Sequence, residues 1–184
     1  MTELADNSQL RWSLLRWVLV TVPGVLLLGI LSGAVAGSGP DNAWFAALTK
    51  PAIYPPPAAF GIVWTVLYVL IGLALAIVAS ARGARLRTAA IVAFLFQFVL
   101  NLAWSPLFFA AHQLTGALAL LVVLDLAVIV TLVLFWRVRP VAALLLVPYL
   151  AWILFATVLN WEFRAAHPQA DERPASGAVS RVEF

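Results

Sequence analysis

Five long apolar runs constrain this chain more than any other feature. They cover residues 14–36, 60–81, 88–111, 114–136 and 141–163. Each has the roughly 17–25 residues that a helix needs to cross a bilayer. Hydrocarbon offers the backbone no hydrogen-bond partner, so only helices and closed barrels span it. The alternation of a barrel strand is absent, and the runs predict five transmembrane helices. The connections after the second, third and fourth runs are short, which makes neighbours antiparallel. The expected fold is an all-α integral membrane protein, a five-transmembrane-helix bundle over residues 14–164. Composition agrees, because 10% charged residues is too few for a water-soluble surface, which carries about 25%.

The remaining segments divide simply. Residues 1–13 form an N-terminal segment, residues 37–59 a long loop rich in proline and aromatic residues, and residues 165–184 a polar tail. The tail, with Pro168, Pro174 and scattered charges, is expected to be disordered. Arg11, Arg16, Arg82, Arg85, Arg87, Arg137 and Arg139 fall on one side of five alternating helices. The positive-inside bias places that side, and the N-terminus, in the cytoplasm, and favours a bacterial inner membrane. The net charge of +3 thus reflects topology, and nucleic acid is not an expected partner. Ala34-Val35-Ala36 before Gly37 also fits a signal-peptidase site. The long first run and the acidic Glu3 and Asp6 favour a retained helix instead. No internal repeat is visible.

Polar and aromatic residues within the runs point to what the bundle encloses. Gln97 and Asn101 lie four apart in the third run, on one helical face with Trp104 and Phe108. Amides are costly in hydrocarbon, so this face turns inward. The second run places Phe60, Trp64, Tyr68 and Gly72 on one stripe, and the fifth places Tyr149, Trp152, Ala156 and Asn160 on another. Converging, the three faces would make a small-molecule pocket, with apolar walls on which flat rings stack and a few orienting polar groups. Interhelical packing and hydrogen bonding explain the same pattern equally well.

Asp125 is the single formal charge deep in a run. A carboxylate at mid-helix costs about 2.5–3.5 kcal/mol on insertion scales, which makes it a candidate functional charge or a hydrogen-bonded packing residue. There is no second intramembrane carboxylate, no intramembrane lysine, no cysteine and no HExxH motif. His112 lies at a run end and His167 in the tail. The residues therefore suggest no catalytic acid–base pair, no metal cluster and no axial haem ligand. No catalytic or metal residue is assigned, and no cofactor is required. The long loop reads WFAALTKP from Trp44 to Pro51, then Pro55-Pro56-Pro57 and Phe60-Gly61. Prolines fix φ and stiffen such a loop, which suits either a lid over the bundle or an interfacial cap.

Taken in order, these pieces resemble the TspO/MBR family of tryptophan-rich sensory proteins and the translocator protein, also called the peripheral benzodiazepine receptor. The resemblance rests on the loop motif and Trp64-Thr65-Val66-Leu67-Tyr68, on Gln97, Asn101, Trp104, Pro106, Phe108 and Phe109, on the Asp125 helix, and on Pro148-Tyr149-Leu150-Ala151-Trp152 with Phe155-Ala156-Thr157-Val158-Leu159-Asn160. It extends from the first run to Arg164. The resemblance implies a homodimeric five-helix bundle with a pocket beneath the first loop. It implies ligands such as protoporphyrin IX, haem and other planar apolar molecules. Carried over, the ligand positions are Trp44, Pro56, Trp64, Tyr68, Asn101, Trp104, Trp152 and Ala156, beside the stripe residues Phe60, Gln97 and Phe108. Lys50 would pair with propionates at the loop side. Two departures stand out. Ala52 and Ile53 replace a tryptophan that often follows the loop Lys-Pro, and Leu159 to Arg164 lacks the tyrosine of the sterol-recognition segment. Sterol binding is accordingly not expected. The function implied is a tetrapyrrole-binding sensor or regulator. The alternatives are transport of porphyrins across the membrane and their light- or oxygen-dependent degradation.

Overall fold

The apolar runs become helices because each satisfies its own backbone, and proline and glycine set where they start, bend and stop. The computed structural model describes residues 7–172. Helix α1 is Asn7–Val35, α2 is the short loop helix Ala43–Ala47, α3 is Pro57–Ser80, α4 is Arg87–Ser105, α5 is Leu114–Val138 and α6 is Pro140–Ala166. Five of these, all but α2, are long and apolar enough to cross a membrane. Pro57 and Pro140 open α3 and α6 at the first helical position, where a missing N–H costs nothing. Gly83, with φ of 81°, allows the tight turn between α3 and α4. Pro106 cannot donate to the α4 ladder, and the helix continues as a π-helical turn, Pro106–Ala110, closed by Ala111 N–H on the Pro106 carbonyl.

The long helices close in the order α1, α3, α6, α5, α4, with α4 returning to α1. Close approach of α1 and α3 depends on Gly72, whose missing Cβ would lie 2.7 Å from Val22 Cα. At that crossing Thr21 Oγ1 donates to the Gly72 carbonyl at 2.8 Å. The half of the bundle nearer the arginines is filled by Ile71, Val78, Phe94, Val128, Phe135 and Ala142, all fully buried. The outward faces carry Leu19, Leu27, Ile62, Val99, Leu126 and Leu144, exposed as a lipid-facing surface requires.

The expected tail boundary shifts. Helix α6 runs to Ala166, and a 3-10 turn, Ala170–Glu172, follows. Asp171 folds back to accept the N–H groups of Leu114 at 2.6 Å and Thr115 at 3.0 Å. A carboxylate at a helix N-terminus satisfies otherwise unpaired donors and complements the helix dipole. Residues 165–172 are thus part of the ordered bundle end, and the rest of the expected disordered tail lies outside the described residues. So do residues 1–6 of the N-terminal segment.

Candidate functional site

The loop half of the bundle holds a cavity of about 520 Å³, within the roughly 300–1,000 Å³ typical of small-molecule sites. All five long helices and the loop contribute. Phe60, Trp64 and Tyr68 come from α3, Asn101 and Trp104 from α4, Phe108 from the π turn, and Trp152 and Ala156 from α6. These eight predicted positions share one space. Among the described residues, no charged residue, histidine or methionine lines it.

Three predicted positions lie elsewhere. Trp44 stacks on His112 with centroids 4.5 Å apart and meets Phe108 edge-on, outside the cavity wall. Pro56 caps α3 and is exposed, and its neighbour Pro57 reaches the cavity instead. Gln97 is 1% exposed, one turn below Asn101. Its Oε1 accepts the Tyr149 hydroxyl at 2.9 Å. The same need for a partner that turns an amide inward has been met by protein, which removes Gln97 from the wall.

Aromatic contacts shape the walls. Trp64 stacks on Tyr68 at 5.1 Å and Trp104 on Phe108 at 5.1 Å. The Tyr68 hydroxyl donates to Asn101 Oδ1 at 3.2 Å, forming a polar floor. Two polar atoms of wall residues, Trp104 Nε1 and Asn160 Oδ1, are buried without a partner. Such groups normally find one, from protein, water or ligand.

Over the cavity lies α2. Its Phe45 is 4% exposed and packs against Phe108, Phe109 and Phe163. Asn42 anchors the start of α2, accepting the Phe45 N–H at 2.9 Å and donating to the Phe109 carbonyl at 3.3 Å. The Lys50 ammonium does not face the cavity. It donates to the Phe45 and Leu48 carbonyls and sits 4.0 Å from the Phe45 ring centre. Partial burial holds that ammonium below the usual lysine range and the Tyr54 phenol above its own. Ala52 and Ile53, at the expected tryptophan site, are exposed.

Sequence reasoning missed Phe45, Tyr54, Phe109 and Phe163, and the α1 wall of Gly29 and Gly33. Gly29 and Gly33 at four-residue spacing were a visible small-residue signal. The loop rings carried no periodicity to reveal their direction.

Asp125 is buried on α5 and does not line the cavity. The Thr157 hydroxyl lies 2.8 Å from Asp125 Oδ2 and 3.0 Å from the Ile153 carbonyl. One hydroxyl carries one proton. It is shared between the two acceptors, Asp125 Oδ2 and the Ile153 carbonyl. Asp125 Oδ1 has no partner among the described residues. Among the described residues no His, Asp and Glu group is arranged to hold a metal ion.

The model of the TspO/MBR family matches residues 19–165. The chain belongs to the TspO/MBR family. It is 38% identical to the human translocator protein over 136 residues, 73% of this chain and 80% of that one. It is 38% identical to the tryptophan-rich protein TspO of Archaeoglobus fulgidus over 144 residues, 78% and 92% of the two chains. It is 38% identical to the tryptophan-rich sensory protein of Cereibacter sphaeroides over 134 residues, 71% and 82%. The matched TspO/MBR region contains the whole cavity wall from Gly29 to Phe163.

Proposed function

We propose that this membrane protein binds tetrapyrroles and similar flat apolar molecules in the loop-side cavity, as a sensor or regulator of porphyrin metabolism. One observation carries the reading: an uncharged cavity walled by Trp64, Tyr68, Trp104, Phe108 and Trp152. Broad rings stack on such walls, and Asn101 with Tyr68 supplies a polar point of orientation. Among the described residues, carboxylates have no cationic partner inside, because Lys50 is held by the loop. Any propionate therefore stays at the mouth. Among the described residues no axial ligand lines the wall, so iron is expected to add nothing to binding.

The test is a titration read by quenching of tryptophan fluorescence. Metal-free protoporphyrin IX should bind at least as tightly as haem, and its neutral dimethyl ester at least as tightly as the diacid. Strict dependence on iron, or on free carboxylates, would contradict the proposal.

Translocation has in its favour the name of the human relative, a translocator protein. Against it stands the filled arginine-side half of the bundle, where Phe94, Phe135 and Val78 leave no continuation of the cavity. Binding without flux of labelled porphyrin into proteoliposomes supports the sensor; flux supports the transporter. We further infer that the arginine end faces the cytoplasm of a bacterial inner membrane, and that the protein is a homodimer. Protease accessibility of the two ends and cross-linking in the membrane test these points.

A further inference from the structure

We propose that His167 is a proton-sensitive latch on the loop that roofs the cavity, a form of regulation that rests on the cavity being the ligand site. His167 ends α6. Its Nδ1 lies 2.9 Å from the Phe163 carbonyl. A carbonyl only accepts, so Nδ1 carries the proton. Its Nε2 accepts the Thr49 backbone N–H at 3.0 Å. Together the two contacts define a neutral imidazole, protonated on Nδ1. A second proton would sit on Nε2 and face the Thr49 N–H, donor against donor. The bond is then abolished rather than weakened. Histidine is the side chain that changes charge between about pH 5 and 8.

What the bond restrains is the roof. Thr49 follows α2 by two residues, and α2 carries Phe45 into the aromatic cluster over the cavity. The other end of α2 is anchored by Asn42 on the Phe109 carbonyl, a contact with no titratable group. Releasing Thr49 thus removes the titratable tether at one end of α2, where buried Leu48 still packs beside Phe45, and loosens that end relative to the Asn42 end.

Among the described side chains, the surrounding charges do not compensate. Lys50, next to Thr49, is engaged with loop carbonyls. On α6, Arg164 donates to Thr115 Oγ1, and Glu162 is exposed. Asp171 uses both oxygens on the N–H groups that open α5, and the first turn of α5 is uncharged. His112 also meets the loop, stacked on Trp44. Protonation there gives a cation–π contact that strengthens the stack, the opposite sign, so His112 cannot be the release.

The test uses full-length protein in nanodiscs and metal-free protoporphyrin IX dimethyl ester, whose side chains do not titrate. Its dissociation rate should rise about three- to tenfold from pH 8 to pH 5.5, the effect of losing one hydrogen bond. His167→Gln keeps a neutral acceptor for Thr49 and should hold the rate flat. His112→Gln should keep the wild-type rise. A flat wild type, or an equal rise in His167→Gln, overturns the latch. A ligand-free arm follows deuterium exchange of the Thr49 amide relative to the exposed Ala52 amide in wild-type protein. The ratio should rise at acid pH, and a constant ratio also overturns the latch. If the ester does not bind at all, the ligand reading fails while the Thr49 amide still decides the latch.

Discussion

Gly29→Ala places one methyl group against the wall of the site. The new Cβ would lie 2.2 Å from Tyr68 Cε2 and 2.3 Å from its Cζ. Carbon atoms rest about 3.5–4.0 Å apart, so the ring must withdraw by roughly 1.3 Å. Tyr68 is 8% exposed, stacked on Trp64 and bonded to Asn101 at 3.2 Å. Overpacking of this kind costs about 1–3 kcal/mol, and losing the hydroxyl bond adds about 0.5–1.5 kcal/mol. The least obstructed retreat for the ring is into the cavity it lines. Much of the effect should therefore appear as lost affinity, tenfold for about each 1.4 kcal/mol, with a smaller fall in unfolding temperature. Fluorescence titration and thermal unfolding, run on the same samples, separate the two. The double variant Gly29→Ala with Tyr68→Ala should be no less stable than Tyr68→Ala alone, because the clash has lost its partner. A Gly29→Ala protein that binds and melts like wild type would refute the close packing of α1 on Tyr68.

Other substitutions test other parts of the account. Asp125→Asn keeps an oxygen acceptor for the Thr157 hydroxyl and should leave unfolding temperature and ligand affinity near wild type. Thr157→Val, which removes the partner of Asp125 Oδ2, should destabilise by about 1–3 kcal/mol. A large loss of binding by well-folded Asp125→Asn would place the carboxyl in the functional machinery instead. Gly72→Ala drives a Cβ to 2.7 Å from Val22 Cα, backbone that cannot step aside, and should cost about 1–3 kcal/mol in unfolding measurements. Asp171→Ala removes the cap on α5 and should cost about 0.5–2 kcal/mol. Trp64→Ala should weaken porphyrin binding with little change in fold, and unchanged affinity would remove Trp64 from the site.

The bundle was legible because spanning length is a one-dimensional property, set by backbone hydrogen bonding in lipid. All five runs are helices, and apart from α1, which begins at Asn7 rather than Leu14, their ends, with α4 taken through its π turn, lie within about three residues of those expected. Facing was legible on α3, α4 and α6, where polar and aromatic residues recur every turn. Depth was not. Gln97 shares a face with Asn101, yet one turn lower it meets Tyr149 rather than the cavity. Trp44 enters as a ligand position through the family resemblance alone, because loop rings have no period to show their direction, and its neighbour Phe45 lines the cavity instead. The anchor of α2 on His167 joins residues 118 apart, a pairing no local pattern encodes. Asp171 was assigned to a featureless tail because its partners, the N–H groups of Leu114 and Thr115, are backbone atoms that sequence does not distinguish.

The most direct measurement is a structure of the protein with metal-free protoporphyrin IX dimethyl ester bound. The account predicts the macrocycle under Phe45, among Trp64, Tyr68, Trp104 and Trp152, with its ester arms toward the loop. A macrocycle on the outer, lipid-facing surface, with those four rings still enclosing empty space, would contradict it.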